Sequence, residues 1–303
     1  MESKSVLRPM GVGEILDAAI HLYRENFALL IMAQLPAALL FVIISVITRG
    51  STVSFLDIVN PLAQTHEPLI GMGYLALISL VHGILIAPII MGAVIRIPSE
   101  IITAQKSTVK KAYSFAFRNF SVLVVTNFLI TVAIGILVAV VLMIPAIILL
   151  YSYMSMVMTP GPMGVGVIAG FIVGTIILIA GVIVILFIWT RWIATFPILV
   201  AEEGEHGSID AIRRSWELVK GRTLQTFGVI LVVSLIPLII QYSPLALEYL
   251  LFKKLPWVTI LFGTLSQTLL IPLVYVTEVI VYYELRTRKE GFDLEQRVKE
   301  LET

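Results

Sequence analysis

The residues that could carry chemistry in this chain are few, and they sit in greasy surroundings. His82 and Glu278 lie inside long apolar runs, and Arg191 closes the inner end of another. An ionisable group at membrane depth marks an ion, proton or substrate path as its functional reading. A histidine with a carboxylate could relay protons or hold a polar ligand group. The packing reading is equally concrete: His82 bonded to Ser79 or Gln267 on a facing helix, with Glu278 and Arg191 snorkelling or pairing at the boundary. Glu202, Glu203, Glu205 and His206 form a dense acidic knot. As a metal site it lacks a second anchored histidine, so a solvated loop is expected there and no metal is assigned. There is no HExxH, no GxSxG and no GxxxxGK[ST], and no cysteine anywhere. No catalytic residue and no cofactor are therefore assigned.

The elements that must position these groups are membrane helices. Charge-free stretches run over about 28–48, 69–95, 121–158, 163–190, 223–247 and 255–277. Each exceeds the ~20 residues that cross a ~30 Å hydrocarbon core. Charged residues make up 14% of the chain, against about 25% in soluble domains. All but three of the 21 Lys and Arg fall in alternate connections. Lys4, Arg8 and Arg24 precede the first span; Arg96, Lys106, Lys110, Lys111 and Arg118 follow the second; Arg191, Arg213, Arg214, Lys220 and Arg222 follow the fourth; Arg286, Arg288, Lys289, Arg297 and Lys299 end the chain. Only Arg49, Lys253 and Lys254 lie opposite. Basic residues stay inside, so a multi-pass protein of the plasma membrane is expected, with both termini cytoplasmic. Glu2, Glu14, Asp17, Arg24 and Glu25 rule out a cleavable leader in residues 1–27. Net charge is +1, which leaves no nucleic-acid footprint. Most acidic residues share the basic segments, so composition does not point to a polybasic lipid-binding surface.

Three amphipathic segments, 12–27, 107–120 and 208–222, each run into an apolar span. Their apolar residues recur at spacings of three and four, the helical period. Asn26-Phe27 aligns with Asn119-Phe120, and Asp17-Ala18 with Asp210-Ala211. Ser107 or Thr108 and Ser208 are the expected caps. One integral membrane domain over 1–303 follows, divided into three units of about 1–100, 101–205 and 206–303. Each unit is an interfacial helix followed by a two-span hairpin, and an even span count makes the copies parallel. The fold class is thus an all-α bundle of six transmembrane helices with three cytoplasmic amphipathic helices. These helices read as a collar in the headgroup layer or as a docking platform for a protein partner.

Pro36, Pro88, Pro145, Pro237 and Pro272 fall inside apolar runs. Each removes a backbone donor and displaces the carbonyl four residues back, which then needs a protein or water partner. The third run is long enough for ~57 Å of helix, so a bend near Pro145 is expected. Gly166, Gly170 and Gly174 make a small-residue stripe that lets helices approach, within the chain or between copies.

LRPMGVGEILDAAIHLYRENF (7–27), AIRRSWELVKGR (211–222) and YYELRTRKEGFDLE (282–295), with RWIATFPILVAEEG (191–204), resemble the prokaryotic glycerophosphoryl diester phosphodiesterase membrane domain family. In its fused members this part precedes a soluble barrel that hydrolyses glycerophosphodiesters. The barrel's paired histidines and metal-binding carboxylates have no counterpart here, so the resemblance implies a membrane module without that activity. In the tail, Arg286 and Arg288 follow Tyr282-Tyr283 and read as basic anchors or as a partner or headgroup site. The leading expectation is a non-catalytic scaffold, anchor or regulator among membrane lipids. A small-solute transporter comes next, and an intramembrane lipid-modifying enzyme last.

Overall fold

The computed structural model describes residues 8–48, 77–78, 80–158, 165–251 and 256–291. Lys4, Arg49, His66, Ser79, Lys253, Lys254, Arg297 and Lys299 lie outside them. Among the described residues every regular element is helical, and six helices are long and apolar enough to cross a membrane. The order is α1 (Val12–Glu25), α2 (Phe27–Thr48), α3 (Ala87–Ile102), α4 (Val109–Arg118), α5 (Phe120–Met158) and α6 (Val165–Trp192). Then come α7 (Thr195–Ala201), α8 (Ser208–Val219), α9 (Thr223–Leu251), α10 (Pro256–Leu265) and α11 (Ile271–Glu290).

Two five-residue π turns, His82–Ile86 and Ser266–Leu270, lead into α3 and α11. Each is followed by a proline at the second helical position, Pro88 and Pro272. The wider turn makes room where the proline ring would strike the preceding carbonyl. Side chains from neighbouring helices take up carbonyls beside the prolines. Asn127 Nδ2 donates to Gly83 O at 2.8 Å, Tyr113 Oη to Ala33 O at 2.7 Å, and Tyr23 Oη to Leu269 O. Burial pushes the Tyr23 and Tyr113 hydroxyls up to about 12, so both stay protonated donors. α5 runs unbroken through Pro145.

The chain divides into two regions. At one end, α3, α7 and α11 pack on one another, and the short helices α1, α4 and α8 pack around them. Here lie most of the fully buried side chains, among them Ile95, Ile97, Ile198, Ile280, Tyr282 and Tyr283. The capping residues Gly11, Thr108 and Gly207 set a common burial register. Ile15, Ala112 and Ala211 occupy the fourth position after the cap, and Ala19, Ala116 and Ser215 the eighth; all are buried. Thr108 accepts from Lys111 N at 3.2 Å, as a cap should. Ser208 does not cap: glycine takes that place, and the Ser208 hydroxyl, one residue inside the helix, donates instead to Val122 O at 3.3 Å. The second region is the α5–α6 hairpin, most of whose side chains face outward.

Candidate functional site

Three glutamates are buried at the ends of the three central helices: Glu100 on α3, Glu202 just past α7, and Glu284 on α11. Glu100 and Glu284 stand at equal sequence distances from Pro88 and Pro272. A buried carboxylate is costly unless paired and hydrogen-bonded, and each has partners. Glu100 accepts from Arg96 Nε at 2.8 Å and pairs with Lys111 Nζ at 3.0 Å. Glu202 accepts from Arg214 Nη2 at 2.9 Å and from Tyr282 Oη at 2.6 Å, and Arg286 stands 3.7 Å away. Glu284 accepts from Arg288 Nε at 2.6 Å and from Met10 N at 3.4 Å. Each carboxylate therefore fastens a central helix to a short one or its entry: α3 to the start of α4, α7 to the middle of α8, and α11 to the segment entering α1.

Glu203 adds a bridge between these clasps. It accepts from Arg96 Nη1 at 3.2 Å, from Asn119 Nδ2 at 3.4 Å and from Arg118. Burial works to raise the Glu202 carboxyl, but the hydrogen bonds from Arg214 and Tyr282 and the charges of Arg214 and Arg286 outweigh it and hold it below the usual carboxylate range. Burial likewise acts to lower the Arg214 guanidinium, and its hydrogen bond and ion pair with Glu202 raise it instead. The pair is charged at neutral pH.

The acidic knot is thus solvated only in part: Glu205 is exposed, Glu203 and His206 are half-buried, and Glu202 is buried. Glu202 is 4% exposed. Ligating atoms of Glu202, Glu205 and His206 lie within 4.8 Å of one another. Glu202 Oε2, however, already stands 2.7 Å from both His206 Nε2 and Arg214 Nε. A cation there would have to displace a guanidinium.

His82 opens the π turn before α3, and its Nε2 is buried without a hydrogen-bond partner among the described residues. Glu278, on α11, makes no hydrogen bond or ion pair, with His82 or any other residue, among the described residues. Arg191 faces α8. Its Nη1 donates to Trp216 O at 3.2 Å, its guanidinium lies 4.9 Å from the Trp216 ring, and its own carbonyl accepts from Ser215 Oγ at 2.9 Å. Arg286 donates to Glu290 and Tyr282, and Arg288 to Glu284 and Met10 O at 3.2 Å. These arginines serve internal contacts. Gly170 and Gly174 face α5, where an added methyl would run into Ser152 and, at 2.9 Å, into Leu149. Gly166 has open space beside it, and Gly181, which the stripe omits, packs on Val141.

Sequence reasoning passed over Glu100 and Glu284. Their signals were present as charge pairs four residues apart, Arg96–Glu100 and Glu284–Arg288, a spacing that places both side chains on one helix face.

Among the described residues the chain is all-helical, with six helices long and apolar enough to span a bilayer and one end of them tied by buried ion pairs, a set compatible with a multi-pass membrane protein. It belongs to the family described as Protein of unknown function (DUF975), whose profile matches residues 19–289. Neither the curated proteins nor the solved structures yielded a match.

Proposed function

We propose that this protein is a non-catalytic membrane scaffold that presents a rigid, charged helical layer to a cytoplasmic protein partner. The observation that carries this reading is the set of buried carboxylates clasping the short helices to the central ones. Spanning a bilayer requires no such network. Buried ion pairs of this kind cost desolvation and fix geometry, which suits a surface that must keep its shape. In this reading the three clasps mark three parallel units, related by the shared burial register of α1, α4 and α8 and by the two π turn–proline entries. The Lys and Arg counts support a layer and termini on the cytoplasmic side of the plasma membrane. The resemblance to the membrane part of glycerophosphoryl diester phosphodiesterases fits an anchoring role.

A photo-crosslinking residue at Asp17 or His21 on the outer side of α1, introduced into the full chain in native membranes, tests this. The expected outcome is a reproducible adduct of one size, absent when the probe is moved to Tyr151 on the hairpin. Equal or absent labelling at both positions overturns the reading.

Glu278, a carboxylate within a span and without an ion-pair partner among the described residues, supports a second reading, transport of a proton or small solute. Liposome flux that falls in Glu278→Gln and His82→Ala would favour it. Flux equal to that of empty vesicles would remove it.

A further inference from the structure

The clasps have a consequence at the surface of α4. Arg96, Thr108, Lys110, Lys111, Ser114 and Arg118 surround a cavity of about 340 Å³ floored by Phe115. Lys110, Ser114 and Arg118 follow one another at helical spacing, and Lys111 joins them from the adjacent edge. Two carboxylates serve this group, and neither lines the cavity: Glu100 takes Arg96 and Lys111, and Glu203 takes Arg96 and Arg118. Four cations over two carboxylates leave an excess of two positive charges at the cavity. Lys110 makes no ion pair among the described residues. Arg96 lies over the Phe115 ring at 4.5 Å, and its bonds to Glu100, Glu203 and Val200 O fix its charge at the cavity wall.

We propose that this cavity binds a phosphate group. Two hydroxyls and several N–H donors around a doubly positive hollow match a tetrahedral oxyanion in both charge and hydrogen bonding. Two sources could supply it, an anionic phospholipid headgroup or free phosphate. The placement favours the lipid. α4 ends at Arg118, and the apolar span α5 starts at Phe120, so the cavity sits at the membrane boundary. Beside it on the same helix, Phe117 is 62% exposed, an apolar neighbour suited to the glycerol and acyl part of a lipid. The site goes beyond the scaffold reading and does not depend on a partner.

The test uses the purified full chain in detergent and in phosphatidylcholine nanodiscs with and without phosphatidylglycerol, with retained lipid counted by native mass spectrometry and unfolding followed by tryptophan fluorescence. The variants are Lys110→Gln, which breaks no described ion pair, and Lys110→Gln/Arg118→Gln. Lys106→Gln, an exposed lysine that does not line the cavity, is the control. Phosphatidylglycerol retention should fall about tenfold in the double variant, as the loss of charge-assisted hydrogen bonds implies, and hold in the control. Inorganic phosphate at matched ionic strength is the second probe. Stabilisation of the wild type by phosphate, lost in Lys110→Gln and without preference for phosphatidylglycerol, keeps the site and assigns it to a soluble ligand. Equal losses in Lys106→Gln and Lys110→Gln reduce the effect to general surface charge and overturn the proposal, as does the absence of binding by either probe.

Discussion

The charged end of the bundle and the α5–α6 hairpin solve opposite problems. At the charged end, position is set by named polar contacts: Glu202 with Arg214 and Tyr282, Glu100 with Arg96 and Lys111, Glu284 with Arg288 and Met10. In the hairpin, two helices of almost uniform hydropathy meet at Gly170, Gly174 and Gly181, and the surfaces turned away from each other are apolar. Lipid tails are as apolar as those side chains, so burial gives the hairpin little driving force and close backbone approach must supply it. One region is specified by what its residues bond, the other by what they leave out.

Substitutions that break this comparison should differ in size. The largest effect is expected from Glu202→Ala, which leaves Arg214 and Arg286 without their buried acceptor; about 3–5 kcal/mol of stability should be lost, seen as a large fall in unfolding temperature by tryptophan fluorescence. Substituting Gly181 by leucine should cost about 1–3 kcal/mol through overpacking on Val141, with α5–α6 cysteine crosslinking reduced. Gly166→Ala, facing open space, should leave both readouts unchanged. Tyr113→Phe removes the donor to Ala33 O and should cost about 1–2 kcal/mol.

Acid should separate the regions without mutation. The Glu202 carboxyl is lowered in the fold, so its contribution is fully present above the ordinary glutamate value of about 4.3 and is lost as pH falls through the folded value. Acid titration of single-tryptophan variants should show loosening at Trp216, two residues along α8 from Arg214, that Trp189 in the hairpin does not report. A transition shared by both probes would mean that the two regions unfold as one.

Much of the fold was legible because lipid imposes a simple rule, long runs without charge. The six apolar helices follow from it, but their ends do not. Arg96 and Glu278 mark the limits of apolar runs in the sequence, yet both lie within continuous helices, α3 and α11. Periodic charge pairs hide burial, since Arg96–Glu100 looks the same on a wet helix as in a core. The amphipathic helices α1, α4 and α8 were legible from their period, though not their register. Matching Asp17-Ala18 to Asp210-Ala211 is offset from the register set by Gly11 and Gly207, and the structure buries Ala18 and Leu22 while leaving Ile20 exposed. Balanced composition concealed the α4 cavity for a related reason: Glu100 and Glu203 pair with its cations without lining it, which leaves the lining basic.

The clasp between Glu284 and Met10 joins positions 274 residues apart. A ribosome releases the amino-terminal helix long before the carboxylate that will hold it exists. Until α11 emerges, α1 lacks its main packing partner and rests on α2 and α9, with Gln225 Nε2 of α9 donating to Met10 O at 3.1 Å. Docking of α1 on α11 is consequently a late act of biogenesis, and a chain halted before α11 would offer the cell's proteases an unfinished edge.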